Sequence, residues 1–227
     1  MKTKVHITII IILVSLSVII GITSLFILPD IIPVHYGPDG SADRYGSKFE
    51  ELIFPITSIL IGICMPISAK YSSKKKNNQK NNEKAIYIVC ECLLSVFLVL
   101  FMYFLYAQYN NVENLYSLKF NIGSLTLIVF GLLFVISGNI MPKVKRNSLI
   151  GMRTPWTMKN DDVWKRSQRF SGFAFVIAGI IMTVCGFFVT GVACFFVLLS
   201  ITAVMVIVSL IYSYRLSKTT DINHEKP

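Results

Sequence analysis

Residues 5–28 read VHITIIIILVSLSVIIGITSLFIL, a run whose one ionisable side chain is His6. A helix of about 20 apolar residues crosses a hydrocarbon core of about 30 Å. The run is far longer than the ~7–15-residue apolar stretch of a cleavable signal peptide, in spite of its basic tip at Lys2 and Lys4. It therefore reads as an uncleaved first membrane span. Five further runs follow, at 52–69, 85–107, 122–140, 170–189 and 192–212. The last two meet at Thr190-Gly191, which reads as a tight turn between helices. The second contains Pro55, Gly62 and Pro66, so five spans stand as the alternative to six.

The composition agrees with this reading. Of the 227 residues, 54% are hydrophobic and 15% charged, and the mean hydropathy is +0.63. Soluble domains carry about 25% charged residues, so this chain has too little charge to wet its own surface. A soluble enzyme, a disordered regulator and a free DNA-binding protein are disfavoured. Five cysteines are too few, and odd in number, for a secreted disulfide scaffold. All five fall in or at the ends of spans and read as buried small apolar residues.

The net charge of +10 is explained by where the charges sit. Taking the N-terminal tip, the second and fourth loops and the tail as one side gathers 19 of the 22 Lys and Arg residues; Arg44, Lys48 and Lys119 fall on the other. Basic residues stay cytoplasmic, so both termini are expected inside. The expected fold is all-α: a polytopic integral membrane protein of six transmembrane helices. Residues 1–69 form a two-helix module with a structured extracellular loop at 29–51. Residues 70–84 form a Lys/Asn-rich linker, expected to be disordered over anionic headgroups. Residues 85–213 form a four-helix module with a cytoplasmic loop at 141–169, and 214–227 a cytoplasmic tail.

Two loops carry more than topology requires. The first is dense in turn residues; Pro33 favours an extended approach to His35, and Pro38-Asp39-Gly40 signals a turn. His35, Tyr36, Asp43 and Lys48 are candidate extracellular contacts, with His35, Asp43 and Lys48 able to form a polar cluster. One imidazole beside acids is a weak metal signal, and a hydrogen-bonded cap is the expected outcome. The fourth loop holds both tryptophans. Asn160 before Asp161 and Asp162 reads as a helix N-cap. Trp156 and Trp164 suit the headgroup level, and the segment reads either as an interfacial re-entry or as a docking surface built from Asn147, Arg153, Trp156 and Trp164. Within the spans, His6 and Glu91 lie near cytoplasmic ends, and Asn139 is placed to bond another helix. No phosphate loop, His-Glu-x-x-His or Gly-x-Ser-x-Gly signature occurs, and no cofactor, metal or enzymatic activity is expected.

Two runs resemble a known family. Leu28-Pro29-Asp30, Pro33-Val34-His35-Tyr36, Gly40, Asp43 and Gly46-Ser47-Lys48 resemble the uncharacterised N-terminal membrane domain of SdpI-type proteins. Gly138-Asn139-Ile140-Met141-Pro142-Lys143, Asn147, Gly151-Met152-Arg153-Thr154-Pro155-Trp156-Thr157 and Val163-Trp164 are similar to the family's C-terminal module. Tyr36 stands where many relatives have Phe. The resemblance implies a multi-pass protein of the bacterial cytoplasmic membrane. It further implies immunity to a secreted antimicrobial toxin or bacteriocin, with signal transduction as a receptor that sequesters a small winged-helix repressor. The implied partners are the lipid bilayer, a toxin peptide and that repressor, with no direct nucleic acid. A transporter or channel for a small or amphipathic solute is the alternative, motivated by the breaks in the second span.

Overall fold

The computed structural model describes residues 3–72 and 76–224, with side chains for 3–72 and 80–220. Lys2, Lys74, Lys75 and Lys226, and the side chains of Lys76 and His224, lie outside these residues. Six long helices form: α1 (Thr3–Ile27), α2 (Ile53–Lys70), α3 (Lys76–Tyr109), α4 (Ile122–Ile140), α5 (Asp161–Phe188) and α6 (Ala193–His224). Each is long and apolar enough to cross a membrane, which decides for six over five. Large apolar side chains such as Ile12, Ile19, Ile22, Phe173 and Phe187 are exposed along them. Such surface is intolerable in water and matches lipid.

Between lipid-like apolar surfaces hydrophobic burial does not drive association, so close backbone approach must. On α1 and α2, Gly21 faces the Pro55 ring, Ser17 Oγ donates to Ser58 Oγ at 3.2 Å, and a Cβ on Gly62 would lie 2.7 Å from Val14 Cγ2. Gly62 is thus a packing notch in a helix that continues through Pro66. On α4 and α5 the same device is stronger. Gly131 and Gly138 stand one heptad apart, as do Gly172, Gly179 and Gly186. A Cβ on Gly138 would lie 2.5 Å from the Gly172 carbonyl, and one on Gly179 2.5 Å from the Gly131 carbonyl. The two helices run antiparallel in backbone contact.

One expectation changes. Residues 76–84 are helical rather than disordered: Asn82 is fully buried and its Oδ1 accepts from the Lys145 backbone N–H at 2.8 Å. Tertiary contact overrides the polar composition there. The tail likewise continues α6 as far as His224.

The turn between α5 and α6 forms as expected, with Gly191 at φ +65, a left-handed value that favours glycine. Ser124 Oγ donates to the Val189 carbonyl at 3.0 Å and fixes this turn to the start of α4. One non-helical element departs from the all-helical plan: β1 (Ile31–Tyr36) pairs antiparallel with β2 (Ala42–Ser47).

Candidate functional site

The β-hairpin caps one end of the bundle. Its turn passes through Gly40 at φ +79, as Pro38-Asp39-Gly40 foretells. The hairpin is clamped to the α3–α4 connection. Ala42 N–H donates to the Glu113 carbonyl at 2.7 Å, Leu115 N–H to the Gly40 carbonyl at 2.8 Å, and the Tyr116 hydroxyl to the Pro38 carbonyl at 2.9 Å. A long turn-rich loop without such ties would be mobile; here its backbone is held from two sides.

The four candidate residues of this loop do not converge. His35 Nδ1 lies 2.6 Å from Asp43 Oδ1 across the strands, and both side chains are exposed. Such a pair adds little stability but orients the imidazole. Lys48 stands apart, 2.9 Å from Asp30 Oδ1 at the base of the hairpin. The expected three-residue cluster is therefore a pair plus a separate latch. The strand register sets this, because His35 pairs with Arg44 at one end and Ile31 with Ser47 at the other.

Tyr36 turns inward. Its hydroxyl donates to the Val112 carbonyl at 3.1 Å, and its ring tilts against Phe104. Burial, then the neighbouring Tyr45 and Glu51, push its pKa from 10.0 to about 12. The neutral phenol is the donating form, so its stabilisation is complete below pH 10 and is lost as pH rises through about 12. Tyr36→Phe is expected to cost about 1 kcal/mol of stability. The tyrosinate absorbance missing from that variant should develop near pH 12 in the native protein; development near the ordinary tyrosine value would contradict the assignment.

At the opposite end, residues 141–160 form a folded cap. Asn147 is buried. Its Oδ1 accepts from the Leu149 and Ile150 N–H groups, and its Nδ2 donates to the Lys145 and Ile150 carbonyls. Gln168 of α5 bonds both the N–H and the carbonyl of Met152, and Thr157 Oγ1 closes on the Met152 and Thr154 carbonyls. Asn160 caps α5 by accepting from Asp162 and Val163 N–H, as the sequence anticipates. Arg146 reaches the Met158 carbonyl at 2.9 Å and Asp161 at 2.8 Å.

Of the four docking candidates, two are buried. Trp164 is 2% exposed, packs with Ala85 and Val144, and donates its Nε1–H to the Val144 carbonyl at 3.0 Å. It is a core residue joining α3 to α5, not a headgroup anchor. Asn147 shapes the loop from within. Trp156 is half-buried, donating to Ser213 Oγ at 3.0 Å and meeting Tyr214 edge-on. Arg153 alone is exposed.

The sequence reading missed one contact. His6 of α1 is 2% exposed, and its Nδ1 lies 2.7 Å from Glu91 Oε1 of α3. Its ring stacks on Tyr87 with centroids 5.8 Å apart. The signal was present: His6 is the one ionisable residue in 5–28, and Glu91 the one charged residue in 85–107. Two isolated ionisable groups in apolar helices favour each other. Asn139, in contrast, bonds the Val135 carbonyl of its own helix at 2.8 Å rather than another helix. Among the cysteines, Cys90 and Cys194 are buried as expected, Cys92 and Cys185 are partly exposed, and Cys64 is exposed. Among the described residues, no group of three or more His, Cys, Asp or Glu is placed to hold a metal.

The hairpin and residues 143–160 of the opposite cap fall within matched regions. Residues 143–213 match the SdpI/YfhL protein family, and residues 11–59 match a domain of unknown function, DUF1648. The chain is 29% identical over 209 residues to the immunity protein SdpI of Bacillus subtilis (strain 168), covering 92% of this chain and 94% of that protein. No solved structure matches it.

Proposed function

We propose, from the match of residues 143–213 to the SdpI/YfhL family and the similarity of nearly the whole chain to an immunity protein of that family, that this chain is a membrane immunity protein that protects its host against a secreted antimicrobial toxin. The near end-to-end similarity to an immunity protein carries this reading. The two capped ends support it, because each presents a fixed surface where a bare connection would suffice for spanning. The charge distribution supports an orientation with the hairpin end outside the bacterial cytoplasmic membrane and the 141–160 cap inside.

On this reading the hairpin, with His35, Tyr36, Asp43 and Lys48, is the face that meets the toxin. His35 and Asp43 offer side chains at its surface; Tyr36 and Lys48 hold its shape. The cytoplasmic cap offers Arg153 and the rim of Trp156 to a small winged-helix repressor, while Asn147 and Trp164 set its form. A receptor role requires that the toxin bind one arrangement of the helices better than another. The 141–160 cap is suited to report such a change, since it bonds α3 through Asn82 and α6 through Ser213.

Of the three positions that motivate a solute path, Pro55 and Gly62 pack α2 against α1, and α2 runs unbroken through Pro66. The decisive experiment expresses the chain in a toxin-sensitive bacterium together with each toxin encoded beside its gene. Survival is the expected outcome; unchanged killing by every one of them would refute the immunity role.

A further inference from the structure

Below the hairpin, where β1, the start of α2 and the end of α3 meet, lies a cavity of about 200 Å³ lined by Arg44, Glu50, Glu51, Phe54, Phe104 and Gln108 among others. Glu51 and Gln108 are 3% and 2% exposed. Gln108 Nε2 donates to Glu51 Oε2 at 2.7 Å and to the Pro33 carbonyl at 3.3 Å. Those two acceptors fix the amide orientation, because the flipped amide would set oxygen against oxygen. Two buried acceptors are then left over. Glu51 Oε1 and Gln108 Oε1 have no hydrogen-bond partner among the described residues.

An orphan acceptor in a buried site is costly, and an orphan carboxylate oxygen more so. The nearby cation does not relieve it: Arg44 is paired with Glu50 Oε2 at 2.9 Å at the exposed edge of the cavity. With Glu51 ionised, the lining carries one uncompensated negative charge, two unpartnered acceptors and two aromatic rings. A primary ammonium supplies what is missing, with donors for both oxygens and a countercharge for Glu51. A neutral amide or hydroxyl would satisfy the acceptors but not the charge.

We propose that this cavity is a subsite for a primary ammonium group of a peptide ligand, either a lysine side chain or a free N-terminus. The choice of a peptide rests on the immunity reading, in which the ligand on this face is a secreted peptide. The charged rim formed by Arg44 and Glu50 agrees with a ligand arriving from water.

The test uses the purified full-length protein in nanodiscs whose lipid is phosphatidylglycerol, which carries no amine. The probe is Nα-acetyl-lysine amide, compared with its Nζ-acetylated form by saturation-transfer NMR. Saturable binding of the first and none of the second is expected, with affinity at least about tenfold lower in Glu51→Gln, the scale of one lost charge-assisted contact. Equal signals from the two probes, or undiminished binding by Glu51→Gln, would overturn the proposal. Loss of lysine binding when the nanodiscs contain phosphatidylethanolamine would assign the cavity to a lipid headgroup and overturn the peptide assignment. The comparison of probes uses the native chain, so it decides the matter even if the variant does not fold. A chain that binds the ammonium yet gives no protection would refute immunity and leave the subsite intact; protection without ammonium binding would do the reverse.

Discussion

Gly179→Leu should strongly destabilise the α4–α5 pair. The first atom added at this position would sit 2.5 Å from the Gly131 carbonyl and 2.7 Å from the Val135 nitrogen. Both are backbone atoms of a helix and cannot turn aside as a side-chain end would. The helices must separate, which breaks the matching contacts at Gly138 and Gly172. Overpacking usually costs about 1–3 kcal/mol and can cost more; a leucine between two backbones belongs at or beyond the upper end. Gly179→Ala should fall between wild type and leucine. Ile180→Leu, one residue on and 52% exposed, should change stability by less than about 0.5 kcal/mol. Thermal unfolding of the detergent-solubilised protein measures all three. A Gly179→Leu protein that unfolds at the wild-type temperature would show that the two helices do not touch here.

Trp164→Ala should be the next most damaging change, at about 3–5 kcal/mol for truncating a fully buried aromatic. It opens a void between α3 and the 141–160 cap and strands the Val144 carbonyl that accepts its Nε1–H. Trp164→Phe retains most of the volume and should cost about 1–3 kcal/mol, chiefly for the stranded carbonyl. Trp156→Ala, at a half-buried site, should cost less than Trp164→Ala. The order of the two alanine variants separates the roles. If Trp164 were a docking contact rather than core, its removal would leave the unfolding temperature unchanged and weaken only partner binding.

Much of the fold is legible in the chain because hydropathy is a one-dimensional property. The six spans, the Asn160 cap and the Gly191 turn each depend on a few consecutive residues. The heptad glycines of α4 and α5 were also in plain view. Their spacing became informative only once the two helices were aligned face to face. The candidate sites were less legible. Trp164 and Arg153 look alike as loop residues rich in binding chemistry, yet one is core and the other surface. His35 and Lys48 sit in one short loop, yet the strand register parts them. His6 and Glu91, separated by 85 positions, are one contact.

The sequence by itself determined that this protein lives in a bilayer and which loops are more than connections, and it left five or six crossings open. Apolar length, turn residues and the bias of 19 basic residues act locally or additively. Only the tertiary structure decided which polar groups face one another. It turned residues 76–84 from a presumed linker into helix, drew Trp164 inward, joined His6 to Glu91, and left Glu51 and Gln108 with free oxygens. The reason is physical. In a low-dielectric interior the cost of a polar group depends on whether a partner lies within hydrogen-bond reach, and that distance is set by folding rather than by position along the chain.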